Sequence, residues 1–212
     1  MSSLQNNLFD LEGHTAIVAG GAGVIGTAMA GTLLGAGANV AVWSRSRESI
    51  DRALEKLAAE TDAADRLDGF QVDTGDEKAV AQALQLTTGR FAAPCILINA
   101  VGGNLGKGAF IDTDITQFEE ILRLNLLAGL VVPTKVVAAY WIEKKIRGSI
   151  INLTSMTSYM PLSGVWGYDA AKAGVLNLTQ ATANAFARHG IRVNAIAPGF
   201  FLGKQNRALL VD

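Results

Sequence analysis

Six short, mainly apolar runs, most followed by a longer helical pattern, constrain this chain more than any other feature. They are His14 to Ala19 (HTAIVA), Asn39 to Trp43, Phe70 to Val72, Cys95 to Ile98, Ser149 to Leu153 and Arg192 to Ile196. Between them the pattern predicts a small-residue helix from Ile25 to Gly35, a charged amphipathic helix ending at Ala58, and a third helix from Glu77 to Thr87. A long helical stretch from Thr116 to Lys144 and a helix from Gly167 to Arg188 complete the set. A strand with one wet face alternates apolar with polar residues, whereas a strand apolar on both faces is covered on both, as in parallel sheets. Right-handed crossovers then give an α/β, doubly wound parallel sheet of Rossmann type, one domain over residues 1–212. Such a sheet takes its ligand at the carboxyl ends of the strands, so the residues just after each run are the ones to inspect.

Other classes are excluded by what the chain lacks. Eighteen Lys+Arg against nineteen Asp+Glu leave a formal charge of −1, with no electrostatic footprint for nucleic acid or an anionic membrane surface. The one cysteine, Cys95, excludes a disulfide framework and reads as a buried, reduced thiol in the apolar run CILIN. His14 and His189 have no ligand-spaced neighbours, so no metal site is expected. The N-terminal MSSLQNNLFDLEG is not a basic region followed by an apolar one, and Asn125 and Pro133 interrupt the most apolar stretch. A soluble, cytoplasmic protein is expected.

After the first run comes Ala19-Gly20-Gly21-Ala22-Gly23-Val24-Ile25-Gly26, between a strand and a helix. Glycines there let backbone N–H groups approach a pyrophosphate, and the helix N-terminus adds partial positive charge. At the end of the second run an acidic residue would bond a free ribose 2′-hydroxyl; here Ser44 and Arg45 stand instead, with Arg47 close by. A hydroxyl and a guanidinium suit a 2′-phosphate. NADP is therefore expected over NAD. The alternative is a solvated start to the second helix, capped by Ser46.

A Tyr-x-x-x-Lys pair sets an ammonium beside a phenol on one helix face. Lowering the phenol pKa from near 10 to neutrality takes about 4 kcal/mol, which a nearby cation in a dry cleft can supply. The pair occurs twice, as Tyr140/Lys144 and Tyr168/Lys172. Thirteen residues before Tyr168 is Ser155, at the end of the fifth run; thirteen before Tyr140 is Leu127. Only Tyr168 can share a strand-end cleft with a hydroxyl, and Tyr140/Lys144 reads as an ordinary exposed helix end.

Taken together, GGAGVIG, Asp73, LINAVGG, Leu124-Asn125-Leu126, INLTS, YDAAK and IRVNAIAPG resemble the short-chain dehydrogenase/reductase family from Phe9 onward. The resemblance implies that Asn125, Ser155, Tyr168 and Lys172 are catalytic. It places Gly20, Gly23, Ile25, Gly26, Ser44, Arg45, Asp73, Asn99, Ala100, Lys172, Pro198 and Gly199 at the cofactor, with Asp73 at the adenine and Ile196 against the nicotinamide. The sequence departs from the family pattern at Ala19, Val24 and Gly203, where the family has threonine, glycine and threonine. Family members continue into a seventh strand, which this chain, ending at Asp212, is expected to lack. Gly102-Gly103-Asn104, Ser155-Met156 and PGFFLGKQNRALL further resemble the D-mannonate oxidoreductase (fructuronate reductase) branch, which acts on sugar acids.

The expected activity is interconversion of a secondary alcohol and a ketone. Ser155 would bond the carbonyl oxygen, Tyr168 would protonate the alkoxide, Lys172 would lower the Tyr168 pKa, and Asn125 would orient a relay water. The alternatives are reduction of another carbonyl (a 3-oxoacyl thioester or a ketogluconate) or a catalytically silent dinucleotide sensor. AGVLNLTQATANAFA carries small and apolar residues on more than one face, so a homodimer or homotetramer is expected.

Overall fold

In the computed structural model, which describes residues 9–200, the apolar runs become β1 (Thr15–Ala19), β2 (Asn39–Ser44), β3 (Leu67–Gln71), β4 (Ile96–Asn99), β5 (Ser149–Leu153) and β6 (Arg192–Ile196). They form one sheet in the order β3-β2-β1-β4-β5-β6, and every pairing is parallel. Strand order reverses between β1 and β4. There the register sets Ala19 beside Asn99 and Asn99 beside Asn152, so three strands end level with one another.

Helices cover both faces. α1 (Val24–Gly35) and α2 (Arg47–Thr61) pack Ala30, Leu34 and Leu57 on Val18, Val42 and Ile98. On the other face α3 (Glu77–Arg90) and α5 (Val132–Lys144) bring Val80, Val137 and Trp141 onto Ile17, Leu97 and Ile150. α6 (Trp166–Ala187) adds Ala183 and Phe186 to that second core. Trp43 and Trp141 are fully buried, and each indole N–H has a partner: Thr87 Oγ1 at 3.0 Å and the Pro94 carbonyl at 2.6 Å. Burying one such ring gains about 5 kcal/mol before entropy is counted, and the N–H partner prevents its loss to desolvation.

Most element ends fall within three residues of the sequence expectation, and three differences have a clear cause. β3 begins at Leu67, not Phe70, because its first half is LDG, polar and glycine-containing at the sheet edge. Gly69 is there because Ile50 of α2 occupies the space of a side chain. The long helix starts as α4 (Ile115–Leu122) and reaches α5 through a nine-residue π-helical segment, Arg123–Val131. Cys95 precedes β4 and is half-buried, not buried; desolvation raises its thiol pKa. Gly203 and the tail beyond Phe200 lie outside the described residues, as does any seventh strand.

The helix spanning Ile115–Lys144 is long and apolar enough to cross a membrane by length and composition. Half of its most apolar stretch is buried inside the fold, as in a core helix.

Side chains cap α2, α3 and α4. Ser46 accepts from the Ser49 N–H, Asp76 from Lys78 and Ala79, and Asp114 from Thr116 and Gln117. α1 and α6 begin without a side-chain cap.

Two glycine substitutions test the packing. A Cβ on Gly148 would enter the Trp141 ring, so Gly148→Ala is expected to lower unfolding free energy by about 2 kcal/mol. A Cβ on Gly89, in the last turn of α3, meets nothing within 4 Å. Gly89→Ala is accordingly expected to be neutral or to stabilise by about 0.5 kcal/mol. Urea titration of both variants checks the pair, and equal effects would contradict the assigned packing.

Candidate active site

The turn between β1 and α1 is shaped by three contacts that only glycine permits. Gly20 has φ +80°, and a Cβ there would lie 2.7 Å from the Ala100 carbonyl carbon. A Cβ on Gly21 would lie 2.8 Å from the Val18 carbonyl oxygen, and one on Gly26 would collide with the Gly20 carbonyl. Gly23 caps α1 in an extended conformation with only one near neighbour, so its place is less demanding. Ile25 is half-buried and packs into the core on that face. Thr27 is the first residue whose N–H bonds back into the helix, to Gly23 O at 2.8 Å. The N–H groups of Val24, Ile25 and Gly26 precede that first bond and are not used within the helix.

This turn opens onto a cleft of about 380 Å³ lined by Gly20, Gly23, Ser44, Arg45, Ala100 and Gly102, among others. Unused N–H groups at an uncapped helix start, a backbone too crowded for a side chain and an exposed Arg45 together fit a dinucleotide with an anionic linker. Arg47, the additional cation expected there, is engaged instead by Asp51 and by the Gly69 carbonyl at 3.2 Å. Asp73 lies exposed after β3 and accepts from the Gly75 N–H at 2.9 Å, while its neighbours Val72 and Thr74 line the cleft. Ala100 lines it too. The Asn99 side chain turns inward and donates to Thr134 Oγ1 and Asn152 Oδ1, both at 2.9 Å.

Beyond the glycine turn, the ends of β5 and α6 bring Ser155, Tyr168 and Lys172 together. Ser155 stands close to the Tyr168 phenol, and its hydroxyl accepts from the Thr157 N–H at 3.2 Å. Lys172 lies one turn below Tyr168, only 4% exposed. Its Nζ donates to the Leu153 carbonyl at 2.8 Å and stands 5.7 Å from the phenol ring centroid. Asn125, in the π-helical segment, is fully buried. Its amide donates to Gly103 O (2.7 Å) and Ile121 O (3.0 Å), and its Oδ1 accepts from the Gly103 N–H (3.0 Å). Both amide hydrogens are committed, so a relay water could take only an oxygen lone pair from this side chain. Pro198 O accepts from the Met156 N–H at 3.1 Å and Ile196 O from the Thr154 N–H at 2.9 Å, which ties the segment after β6 to the turn carrying Ser155. Gly199 follows, exposed.

Electrostatics depart from the sequence expectation. The Tyr168 phenol pKa is raised, first by burial and also by the neighbouring Asp169 charge; the nearby Ser155 hydroxyl opposes this. Burial pulls the Lys172 ammonium down to about 8. The protein's own groups therefore do not lower the phenol, because the lysine is itself desolvated and is directed to a backbone carbonyl. Sequence reasoning also passed over Asp169, which is 8% exposed beside Tyr168. Its signal was available: a carboxylate in the first turn of a helix that has no capping side chain.

The family model described as short chain dehydrogenase matches residues 14–210. The chain belongs to this family. Its members are oxidoreductases of small molecules that use nicotinamide dinucleotides, and this chain carries the family's parallel sheet. Among relatives, "Uncharacterized oxidoreductase UxuB" of Bacillus subtilis (strain 168) is 36% identical across 96% of this chain and 76% of its own length. The "2-dehydro-3-deoxy-D-gluconate 5-dehydrogenase" of Formosa agariphila is 32% identical across 97% of this chain and 76% of its own. A crystal structure of a short chain dehydrogenase from Bacillus anthracis superposes with a TM-score of 0.82 at 30% identity, covering 89% of this chain and 77% of that one.

Lys172 gives a pH test with a definite sign. Its pKa is about 8 in the folded protein and about 10.4 unfolded, so between these values the unfolded chain binds more protons and stability rises with pH. The penalty for burying the charge is present below pH 8 and is relieved above it. Relative to Lys172→Met, the wild type should gain about 2 kcal/mol between roughly pH 7.5 and 9.5 in urea unfolding. A difference independent of pH would contradict the burial of a charged Lys172.

Proposed function

We propose that this protein is an NADP-dependent oxidoreductase that interconverts a secondary alcohol and a ketone on a sugar acid of the D-mannonate/D-fructuronate type. The juxtaposition of Ser155 and Tyr168 at the edge of the glycine-turn cleft, with Lys172 one turn below, carries the reading. The exposed Arg45 beside Ser44 supports NADP, since a guanidinium can pair with a 2′-phosphate. The printed name of the Formosa agariphila relative, a dehydrogenase of a gluconate derivative, supports a sugar acid.

When bound, the dinucleotide supplies or accepts the hydride. The chain's residues do the rest. Ser155 donates to the substrate oxygen, and Tyr168, kept protonated by burial, gives its proton to the developing alkoxide. Lys172 is the cation nearest the phenolate left behind, with its Nζ 5.7 Å from the ring centroid. Asn125 holds Gly103 and so fixes the loop between cleft and substrate.

Oxidation and reduction assays over a panel of sugar acids, each with both dinucleotides, test this reading. Turnover is expected with a hexuronate or hexonate and NADP(H), falling at least a hundredfold in Tyr168→Phe and scarcely changing in Tyr140→Phe. Preference for a 3-oxoacyl thioester would replace the substrate, tighter NAD binding would replace the cofactor, and equal loss in the two Phe variants would remove the site.

We also propose that two copies associate through α6. Its exposed face presents Ala170, Ala173, Asn177, Ala181 and Asn184 at three- and four-residue spacing, small enough for a second helix to approach closely. Light scattering should give a dimer or tetramer mass that Ala181→Arg converts to monomer; a monomer in the wild type would refute it.

A further inference from the structure

Asp169 is a buried carboxylate with no part in the chemistry described above, although it adjoins Tyr168 on α6. Its Oδ2 accepts from the Leu162 N–H at 3.0 Å. Its Oδ1 and the Thr157 hydroxyl are both buried, and neither has a hydrogen-bond partner among the described residues. In the same turn Thr157 donates its N–H to Ser155 Oγ. The carboxylate thus links α6, at the residue after Tyr168, to the turn that follows Ser155.

That turn has few other anchors. Ser158 donates to the Lys172 carbonyl at 2.8 Å, and the Gly108 N–H donates to the Gly164 carbonyl at 3.1 Å. Between these points, Tyr159 and Met160 stand exposed and Leu162 partly so, an apolar wall following Ser155. Asp169 fastens it at Leu162.

We propose that Asp169 is a positioning residue for the reaction: its carboxylate ties the turn that follows Ser155 to α6 and sets a negative charge beside the phenol. This rests on the assignment of Tyr168 as the proton donor. A carboxylate next to a phenol disfavours phenolate, so Asp169 helps keep the donor loaded. Of the other charged groups near Tyr168, Lys172 stands below the ring. Lys107, on the loop after β4, lies with its stem against Gly164 and is exposed. The turn after β5 brings the hydroxyls of Ser155, Thr157 and Ser158 and the exposed phenol of Tyr159, and the π-helical segment brings the neutral Asn125.

The test needs no substrate. Ultraviolet titration of the phenol, assigned to Tyr168 by subtracting the Tyr168→Phe spectrum, gives its midpoint in the wild type and in Asp169→Asn. Asparagine retains an acceptor for Leu162 but loses the charge, so the midpoint should fall by about half a pH unit or more. Amide exchange over residues 156–163 should quicken about tenfold in Asp169→Ala and stay near wild type in Asp169→Asn. An unchanged phenol midpoint in Asp169→Asn overturns the proposal even if Asp169→Ala fails to fold. A shifted midpoint in a protein that turns over no sugar acid would leave this inference standing and remove the substrate assignment instead.

Discussion

The approach of Gly20 to the backbone of Ala100 and Val101 is the contact on which the cleft depends. β1 and β4 are neighbours in the sheet, yet the chain leaves β1 toward one face and returns from the other, which opens a crevice at their ends. A side chain at Gly20 would push the two strand ends apart, and one at Gly26 would lift α1 off the turn. Both contacts hold the uncapped start of α1 over the crevice. The Ala100 N–H donating to Ala19 O at 2.8 Å continues the ladder to the last residue before that opening.

A buried polar chain holds the other half of the site in register. Asn99 of β4 donates to Asn152 of β5 and to Thr134 of α5, and Asn152 donates to Thr179 of α6 at 3.0 Å. Each bond contributes only about 1 kcal/mol net, but breaking one strands a polar group in the core at a cost of 1–3 kcal/mol, roughly. The larger consequence is positional. Ser155 follows β5 while Tyr168 and Lys172 ride on α6, so a link between strand and helix sets their separation. A slip of β5 by one residue would turn Asn152 away from both partners and move Ser155 with it.

Much of this was legible in the sequence because strand runs and helix periodicity are local signals. β5 and β6 begin and end where the apolar pattern does, and the choice of Tyr168 over Tyr140 followed from the spacing to Ser155. The elements that were misread depend on distant atoms. Nothing local in LDG announces the start of β3, since its pairing with β2 and the fit of Gly69 under Ile50 decide it. The π-helical segment has an ordinary helical sequence, and the Asn125 amide reaches Gly103, twenty-two residues earlier in the chain. Asn99 shows the same limit: a strand-end asparagine looks like a cleft residue until the pleat turns it toward Thr134.

The titration of the site has a single physical source, and it sets a direction. Burial raises the Tyr168 phenol and lowers the Lys172 ammonium, so both groups are pushed toward neutrality. A neutral phenol is a proton donor, which suits reduction of a ketone. Acting as a base in the opposite direction requires the phenolate, and within this chain the favourable contributions are the nearby Ser155 hydroxyl and whatever charge Lys172 retains. Positive charge brought into the cleft would act on both at once, lowering the phenol and driving the proton off the lysine.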